Sequence, residues 1–323
     1  MIKNNEKVSV IGGSGFIGTR LCKRLESQNI QFEILDRVES KTYPELTKIV
    51  DIRDPDSLLN QLTGDVIINL AAEHLDNVSP KSLYHDVNVQ GSENVCDVAR
   101  KKSINKIIFT SSVAVYGFAP VGTDESGALN PFNEYGKTKL EAEYKFKDWL
   151  NEDKDKRTLT IIRPTVVFGE GNRGNVYNLL KLLSSNFFVM IGNGKNIKSM
   201  AYVENISAFI EYSLNNDKGL FTHNYVDKPD YDMKNLITDV YSALGKEYKS
   251  KLHIPFSIGY SLGLLVDLIG KVLNKKFPVS AIRIKKFCAN SSFSSNVEET
   301  GFKRPVSLRE ALNKTISFEF IKK

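Results

Sequence analysis

Cysteine is scarce: Cys22, Cys96 and Cys288 are odd in number and far apart, which excludes a disulfide framework and fits no metal-ligand spacing. No metal is expected, and a reducing cytoplasm is the predicted setting. Charge of one sign is also missing as a block. The 44 Lys and Arg against 38 Asp and Glu leave a net charge of +6, yet no run of five or six like charges occurs. The short pairs Lys275-Lys276 and Lys285-Lys286 read as wet helix faces, so no nucleic-acid partner is expected. No apolar segment follows the opening MIKNNEK, so no secretion signal is expected. Long hydrophobic runs are nearly absent. The exception, IPFSIGYSLGLLVDLIGKVL at 254–273, is interrupted by Gly, Ser and Asp267 and is read as a buried or interface helix, with no transmembrane span expected.

What the first half does contain is alternation. KVSVIG, FEILD, DVIINLAA and NKIIFTSS are short runs rich in Val, Ile and Phe, separated by helix-length stretches such as GTRLCKRLESQN. Successive β-α-β units predict an α/β fold built on a parallel, doubly wound sheet. TLTIIRP adds a strand ending at Pro164, after which the rhythm becomes irregular. The expected organisation is a dinucleotide-binding domain over 1–168, joined by some later elements, and a smaller substrate domain formed mainly by 169–323.

IGGSGFIG, residues 11–18, follows a strand and opens a helix, the context that a dinucleotide fingerprint requires. Gly12, Gly15 and Gly18 keep the turn tight around a pyrophosphate, and the helix start at Phe16 and Ile17 supplies N–H donors to it. Asp36 ends the second strand, where a carboxylate takes ribose hydroxyls and repels a 2′-phosphate. NAD is therefore preferred, with NADP possible because Arg37 stands next to it. Asp51 and Ile52 close a short third strand where an adenine ring would sit. Leu70, Ala71 and Ala72 end the fourth with small or apolar groups against which a cofactor can lie.

Two Tyr-x-x-x-Lys pairs occur among 13 tyrosines, Tyr135 with Lys139 and Tyr177 with Lys181. Spacing alone does not choose between them, since about one match is expected by chance. Only the first has a serine-bearing strand end, TSS, before it in the alternating half.

GGSGFIG, VDIRD, NLAA, NVQGSENV, IIFTSSVAVYG, EYGKTKLEAE, RPTVVFGEG and SMAYVENISAFI, in that order, resemble the extended short-chain dehydrogenase/reductases of the nucleotide-sugar epimerase, dehydratase and reductase group. The resemblance implies a Rossmann-type domain, a homodimer, and catalysis by Ser112, Tyr135 and Lys139. Tyr135 would be the acid/base and Lys139 would hold the nicotinamide ribose. A phenol with an ordinary pKa of about 10 needs a fixed positive charge nearby to work at neutral pH, and Lys139 lies one turn away on the same face. Asn88 is expected to steady this region, and Pro164 to touch the cofactor. The resemblance puts Ser112, Val113 and Tyr116 at the substrate, with Asn175, Arg173, Lys198 and Arg283 as further contacts.

Val113-Ala114 stand where sugar 4,6-dehydratases usually carry Asp-Glu, which argues against dehydration. The implied reaction is oxidation or reduction at C4 of a nucleotide-linked, UDP-type sugar for bacterial surface polysaccharide, with a 4-keto reductase slightly favoured over a 4-epimerase. A 3β-hydroxysteroid-type dehydrogenase and a non-catalytic NAD(P)-binding regulator are the alternatives.

Overall fold

A computed structural model describes residues 6–75, 78–185, 188–247, 253–273, 275 and 280–321. The chain divides into two compact units. The first comprises Met1–Val167, Ala201–Asp227 and Phe293–Val306, and the second Phe168–Met200, Lys228–Ser292 and Ser307–Lys323.

The chain opens with β1 (Val8–Ile11), α1 (Phe16–Ser27), β2 (Phe32–Asp36), β3 (Thr47–Ile49), α2 (Pro55–Gln61) and β4 (Val66–Asn69). The short α3 (Ser82–His85) then runs through a π-helical turn, Asp86–Gln90, into α4 (Gly91–Lys101). β5 (Lys106–Thr110), α5 (Glu134–Asn151) and β6 (Thr158–Pro164) complete the regular alternation. Next come β7 (Val166–Phe168), α6 (Asn175–Ser184), β8 (Met190–Ile191) and β9 (Ile197–Tyr202). The chain then supplies α7 (Val203–Tyr212) and β10 (Gly219–Tyr225) to the first unit. The remaining elements are β11 (Asp227–Asp232), α8 (Met233–Ala243), β12 (His253–Ile254), α9 (Phe256–Leu273), α10 (Ala281–Cys288) and α11 (Leu308–Ile316).

The expected parallel, doubly wound sheet is present. Its seven strands run β10-β6-β5-β4-β1-β2-β3, and every pairing is parallel. Strand order reverses between β1 and β4, which places the crevice for a ligand at their carboxyl ends. The side-chain period of two explains the layers. In β5, Ile107 and Phe109 join Val95, Phe146 and Trp149 in the core under α4 and α5, while Ile108 joins Leu21, Ile34 and Phe209 on the α1 and α7 side. Arg24 pairs with Glu211 at 2.6 Å and ties α1 to α7.

Glu33 of β2 is buried beneath this sheet and accepts from Lys48 and Lys7 at 2.8 and 2.9 Å, from the Thr63 hydroxyl and from Ser9. Burial alone would push its carboxyl up, but the hydrogen bonds from Lys48, Thr63 and Lys7 together bring it down to about 2.

In the second unit α9 is the expected helix, but of the two readings, buried or interface, the buried one does not hold. The helix does not bury its large residues. Gly259 and Gly263 face the protein, while Ile258, Leu262, Leu265 and Leu268 are at least half exposed. Among the described residues no helix is long and apolar enough to cross a membrane.

The Glu33 cluster predicts an acid-sensitive contribution to stability. A carboxyl lowered in the folded state stabilises fully above its unfolded value, about 4.3, and loses that contribution as pH falls towards about 2. Glu33→Gln should cost about 2 kcal/mol in urea unfolding at pH 7, and the difference from the parent should shrink between pH 5 and pH 3. A difference that stays constant over that range would contradict the assignment.

Candidate active site

The turn after β1 is built for close backbone approach. Gly12 has φ +80°, and a Cβ there would lie 2.7 Å from the Ala71 amide nitrogen. No side chain caps α1 at Gly15, so the first-turn N–H groups of Phe16, Ile17 and Gly18 are presented as the helix's anion-binding end. Asp36, at the end of β2, accepts from Ser14 N at 3.0 Å and Val38 N at 3.2 Å, which fixes both carboxylate oxygens beside that turn. Each oxygen keeps a lone pair for a ribose hydroxyl. Arg37 next to it is exposed.

Asp51 is held below the usual carboxylate range by the Arg53 guanidinium, which grips both its oxygens. Ile52 is buried, and its carbonyl accepts from Asn94 Nδ2 at 2.9 Å. Leu70, Ala71 and Ala72 are half-buried after β4. Pro164 ends β6 in the buried layer.

Two orphaned polar atoms mark the same edge of the sheet. Among the described residues, Asn69 Nδ2 and Thr110 Oγ1, at the ends of neighbouring strands β4 and β5, are buried without a hydrogen-bond partner. The glycine cradle, the uncapped helix end, the strand-end acid and these orphans together fit a dinucleotide.

Ser112 follows β5 in extended conformation and accepts from Ala114 N at 3.1 Å, starting the 3-10 turn Val113–Tyr116. α5 begins at Asn133, whose side chain accepts from Gly136 N at 2.9 Å. Gly136 lets that helix start approach the Ser112 turn, since a Cβ there would sit 2.5 Å from Ala114 O. Strand end and helix start therefore meet, and Tyr135 lies beside Ser112. Burial pushes the Tyr135 phenol up, and the Ser112 hydroxyl beside it works the other way.

Lys139, one turn on, is 2 % exposed and lies 4.3 Å from the centre of the Phe109 ring. Burial pulls its ammonium down to about 7, with Glu143 opposing. A lysine so placed suits partners that a bound cofactor's ribose hydroxyls would provide.

Asn88 lies in the π-helical turn. Its Oδ1 accepts from Glu73 N at 2.8 Å, and its Nδ2 donates to Glu73 O and to Thr138 Oγ1, both at 3.0 Å. It thus fastens the segment after β4 to the helix that carries Tyr135 and Lys139.

A buried network behind the site was not foreseen. Arg163 of β6 grips Glu143 of α5 through Nε and Nη2 at 2.9 and 2.7 Å, and Ser111 Oγ donates to the same carboxylate at 2.6 Å. The signal was present as Glu143, four residues beyond Lys139 and eight beyond Tyr135 on one helical face. Tyr116, which the resemblance put at the substrate, also belongs to this network. It is 2 % exposed, donates to Asn224 Oδ1 at 2.8 Å and accepts from Arg163 Nη1 at 2.6 Å, so its hydroxyl is consumed in the core. Val113 is half-buried in the same turn.

The other substrate candidates lie in the second unit. Arg173 pairs with Glu319 at 2.7 Å and stacks on Tyr177. Asn175 starts α6, the helix that carries the other pair, Tyr177 and Lys181. Lys198, which burial pulls down to about 8, donates to Lys286 O and Ala289 O at 2.8 and 2.7 Å, around the end of α10. Arg283 is exposed in the first turn of α10.

Residues 8–226 match the NAD dependent epimerase/dehydratase family. The chain is 48% identical, over 98% of its length and 96% of the relative's, to an N-acetyl-alpha-D-glucosaminyl-diphospho-ditrans,octacis-undecaprenol 4-epimerase of Escherichia coli O157:H7. It is 26% identical, over 98% and 99%, to a decarboxylating sterol-4-alpha-carboxylate 3-dehydrogenase of Candida albicans. In fold it is similar to a UDP-glucose 4-epimerase of Thermus thermophilus crystallised with NAD, with TM-score 0.73, 17% identity, and 97% and 98% of the two chains covered.

Lys139 makes a testable case of function set against stability. Its folded pKa is below the unfolded value, so the penalty of burying the ammonium is full below about pH 7 and fades as pH rises towards about 10.4. Lys139→Met should raise cofactor-free stability by roughly 3 kcal/mol at pH 6 and by much less at pH 9.5, read by urea unfolding. A destabilised variant at pH 6 would show that the lysine is held by contacts other than those described.

Proposed function

Because the chain belongs to the NAD-dependent epimerase/dehydratase family, we propose that it inverts C4 of an N-acetylhexosamine carried on a diphosphate, and that its substrate is the lipid-linked, diphosphopolyprenol form of that sugar. The observation that carries this reading is the 48% identity, over 98% of the chain, to an epimerase named for that substrate. It moves the preference from the 4-keto reductase, slightly favoured on the sequence resemblance, to the epimerase. The sterol dehydrogenase relative, at 26%, gives the alcohol dehydrogenase alternative less support. Lipid-linked sugars of this kind are intermediates in building surface polysaccharide, which remains the proposed context.

Ser112, Tyr135 and Lys139 divide the work. Tyr135 as phenolate takes the proton of the C4 hydroxyl as that carbon is oxidised and returns it to the same oxygen when the carbonyl is reduced. Ser112, beside the phenol, donates to the C4 oxygen and keeps it in line. The Lys139 ammonium lies one turn below the phenol and favours its ionised form. NAD, when bound, supplies the acceptor and donor of hydride at C4. Asp36 favours NAD over NADP, because a 2′-phosphate would meet a carboxylate already fixed by two backbone N–H groups.

Neither oxidant nor reductant is consumed overall, which gives the deciding experiment. Purified protein is mixed with N-acetylglucosaminyl-diphosphopolyprenol, with UDP-GlcNAc, or with a UDP-linked 4-keto-6-deoxy sugar, each with and without added NADH. Isomerisation of the lipid-linked sugar without added cofactor supports the reading, and stoichiometric NADH oxidation with the keto sugar overturns it in favour of a reductase. Tyr135→Phe should lower turnover by at least about a hundredfold while NAD affinity, read by calorimetry, changes by less than about threefold. Unchanged turnover would remove Tyr135 from the acid/base role.

A further inference from the structure

α9 is an inside-out helix. Gly259, Gly263 and Gly270 recur at spacings of four and seven on one side, and Ile258, Leu262, Leu265 and Ile269 recur at spacings of four, three and four on the other. The glycine side is the packed one. A Cβ on Gly263 would lie 2.8 Å from the Ala281 backbone of α10, and one on Gly259 would lie 2.7 Å from Ile191. The large apolar side is the wet one, with Ile258, Leu262, Leu265, Leu268, Ile269 and Leu273 each 42 to 59 % exposed. A helix of a water-soluble domain normally buries its large side and shows its small or polar one to solvent. A contiguous apolar stripe of this length marks a surface that something covers.

Charge indicates what covers it. Between residues 253 and 290 the sequence carries six lysines and arginines against one acid, Asp267. That one carboxylate is turned inward, accepting from Ala281 N at 3.0 Å to hold α10 against α9. Lys271 and Lys275 at the end of α9, with Arg283, Lys285 and Lys286 on α10, are exposed, and Ile282 beside them is half exposed. Leucines and isoleucines along one side of a helix with cations at its end match an anionic membrane surface, where the apolar side enters the acyl boundary and the cations meet the headgroups.

We propose that α9 and the outer side of α10 form a shelf that lies in the surface of an anionic lipid bilayer, docking the protein where a polyprenol-linked sugar is held. The inference rests on the reading of a lipid-linked substrate for its purpose, and vesicles that contain no substrate test it separately from that reading. A second copy of the chain is the competing occupant.

The full-length protein is sedimented with vesicles of phosphatidylcholine alone or with about a third phosphatidylglycerol, at low and at high salt. The parent protein should bind the anionic vesicles and be weakened by salt. Leu262→Glu/Leu265→Glu should lower the bound fraction at least roughly tenfold, and Lys271→Glu/Lys275→Glu should lower binding to anionic vesicles only. Both variants should keep parental turnover on a short-chain, water-soluble sugar diphosphate and the parental circular dichroism. No vesicle binding by the parent, or equal binding by the leucine variant, overturns the proposal. So does a dimer in light scattering that the leucine substitutions dissociate in the absence of any vesicle binding. Vesicle binding without activity on any lipid-linked sugar would leave the docking surface standing and refute the substrate reading instead.

Discussion

The buried grip of Arg163 on Glu143 is the constraint that the candidate active site depends on. The two side chains are 3 % and 0 % exposed, and the pair joins β6 to α5 in two parallel hydrogen bonds. Ser111, next to Ser112, donates to the same carboxylate, so one acid fixes the strand end that bears the serine and the helix that bears Tyr135 and Lys139. Removing one partner would leave a charge in the core, a loss of about 3–5 kcal/mol. Ser112, Tyr135 and Lys139 are therefore held from behind by a buried charge pair, while Asn88 and Gly136 set how the segment after β4 and the Ser112 turn approach the same helix.

Around that fixed helix the electrostatics run against the resting charges. Lys139 is buried without a carboxylate gripping it, and burial also holds the Tyr135 phenol in its neutral form. A positive charge arriving beside the phenol would favour its ionised form, while hydroxyl partners for Lys139 would relieve the burial of its ammonium. The orphaned Asn69 Nδ2 and Thr110 Oγ1, on the adjoining strand ends, have the same incompleteness. A protein that completes its polar contacts only on binding a cofactor gains affinity for that cofactor from the deficit.

The sequence made the sheet legible because a parallel sheet buries both faces, and its strands then read as continuous Val and Ile runs such as VSVI and VIIN. The glycine turn and Asp36 were legible for a similar reason: their roles are local, set by neighbours within a few residues. The core partners of Tyr116 were not legible, because Asn224 lies more than a hundred residues away and neither it nor Arg163 has a local signature. Glu33 was invisible for the same cause, since its partners Lys7, Lys48 and Thr63 come from three separate segments. The apolar stretch at 254–273 was noticed, but its orientation was not. Which side of α9 packs is decided by Ala281 and Ile191, which accept only glycine against them.

The route of the chain through the first unit has a bearing on how the protein is made. β10, the strand that pairs with β6 along its whole length, lies at Gly219–Tyr225, and Phe293–Val306 also belongs to that unit. Asn205 exchanges two hydrogen bonds with Val306, and Glu125 accepts from the backbones of both Asn224 and Asn296. A growing chain that has left the ribosome as far as β6 thus exposes an unpaired strand edge, and it keeps that edge while some fifty further residues are added, for seconds at ordinary elongation rates. The sheet is consequently closed at this edge by the last of its seven strands to be made, after part of the second unit has been synthesised.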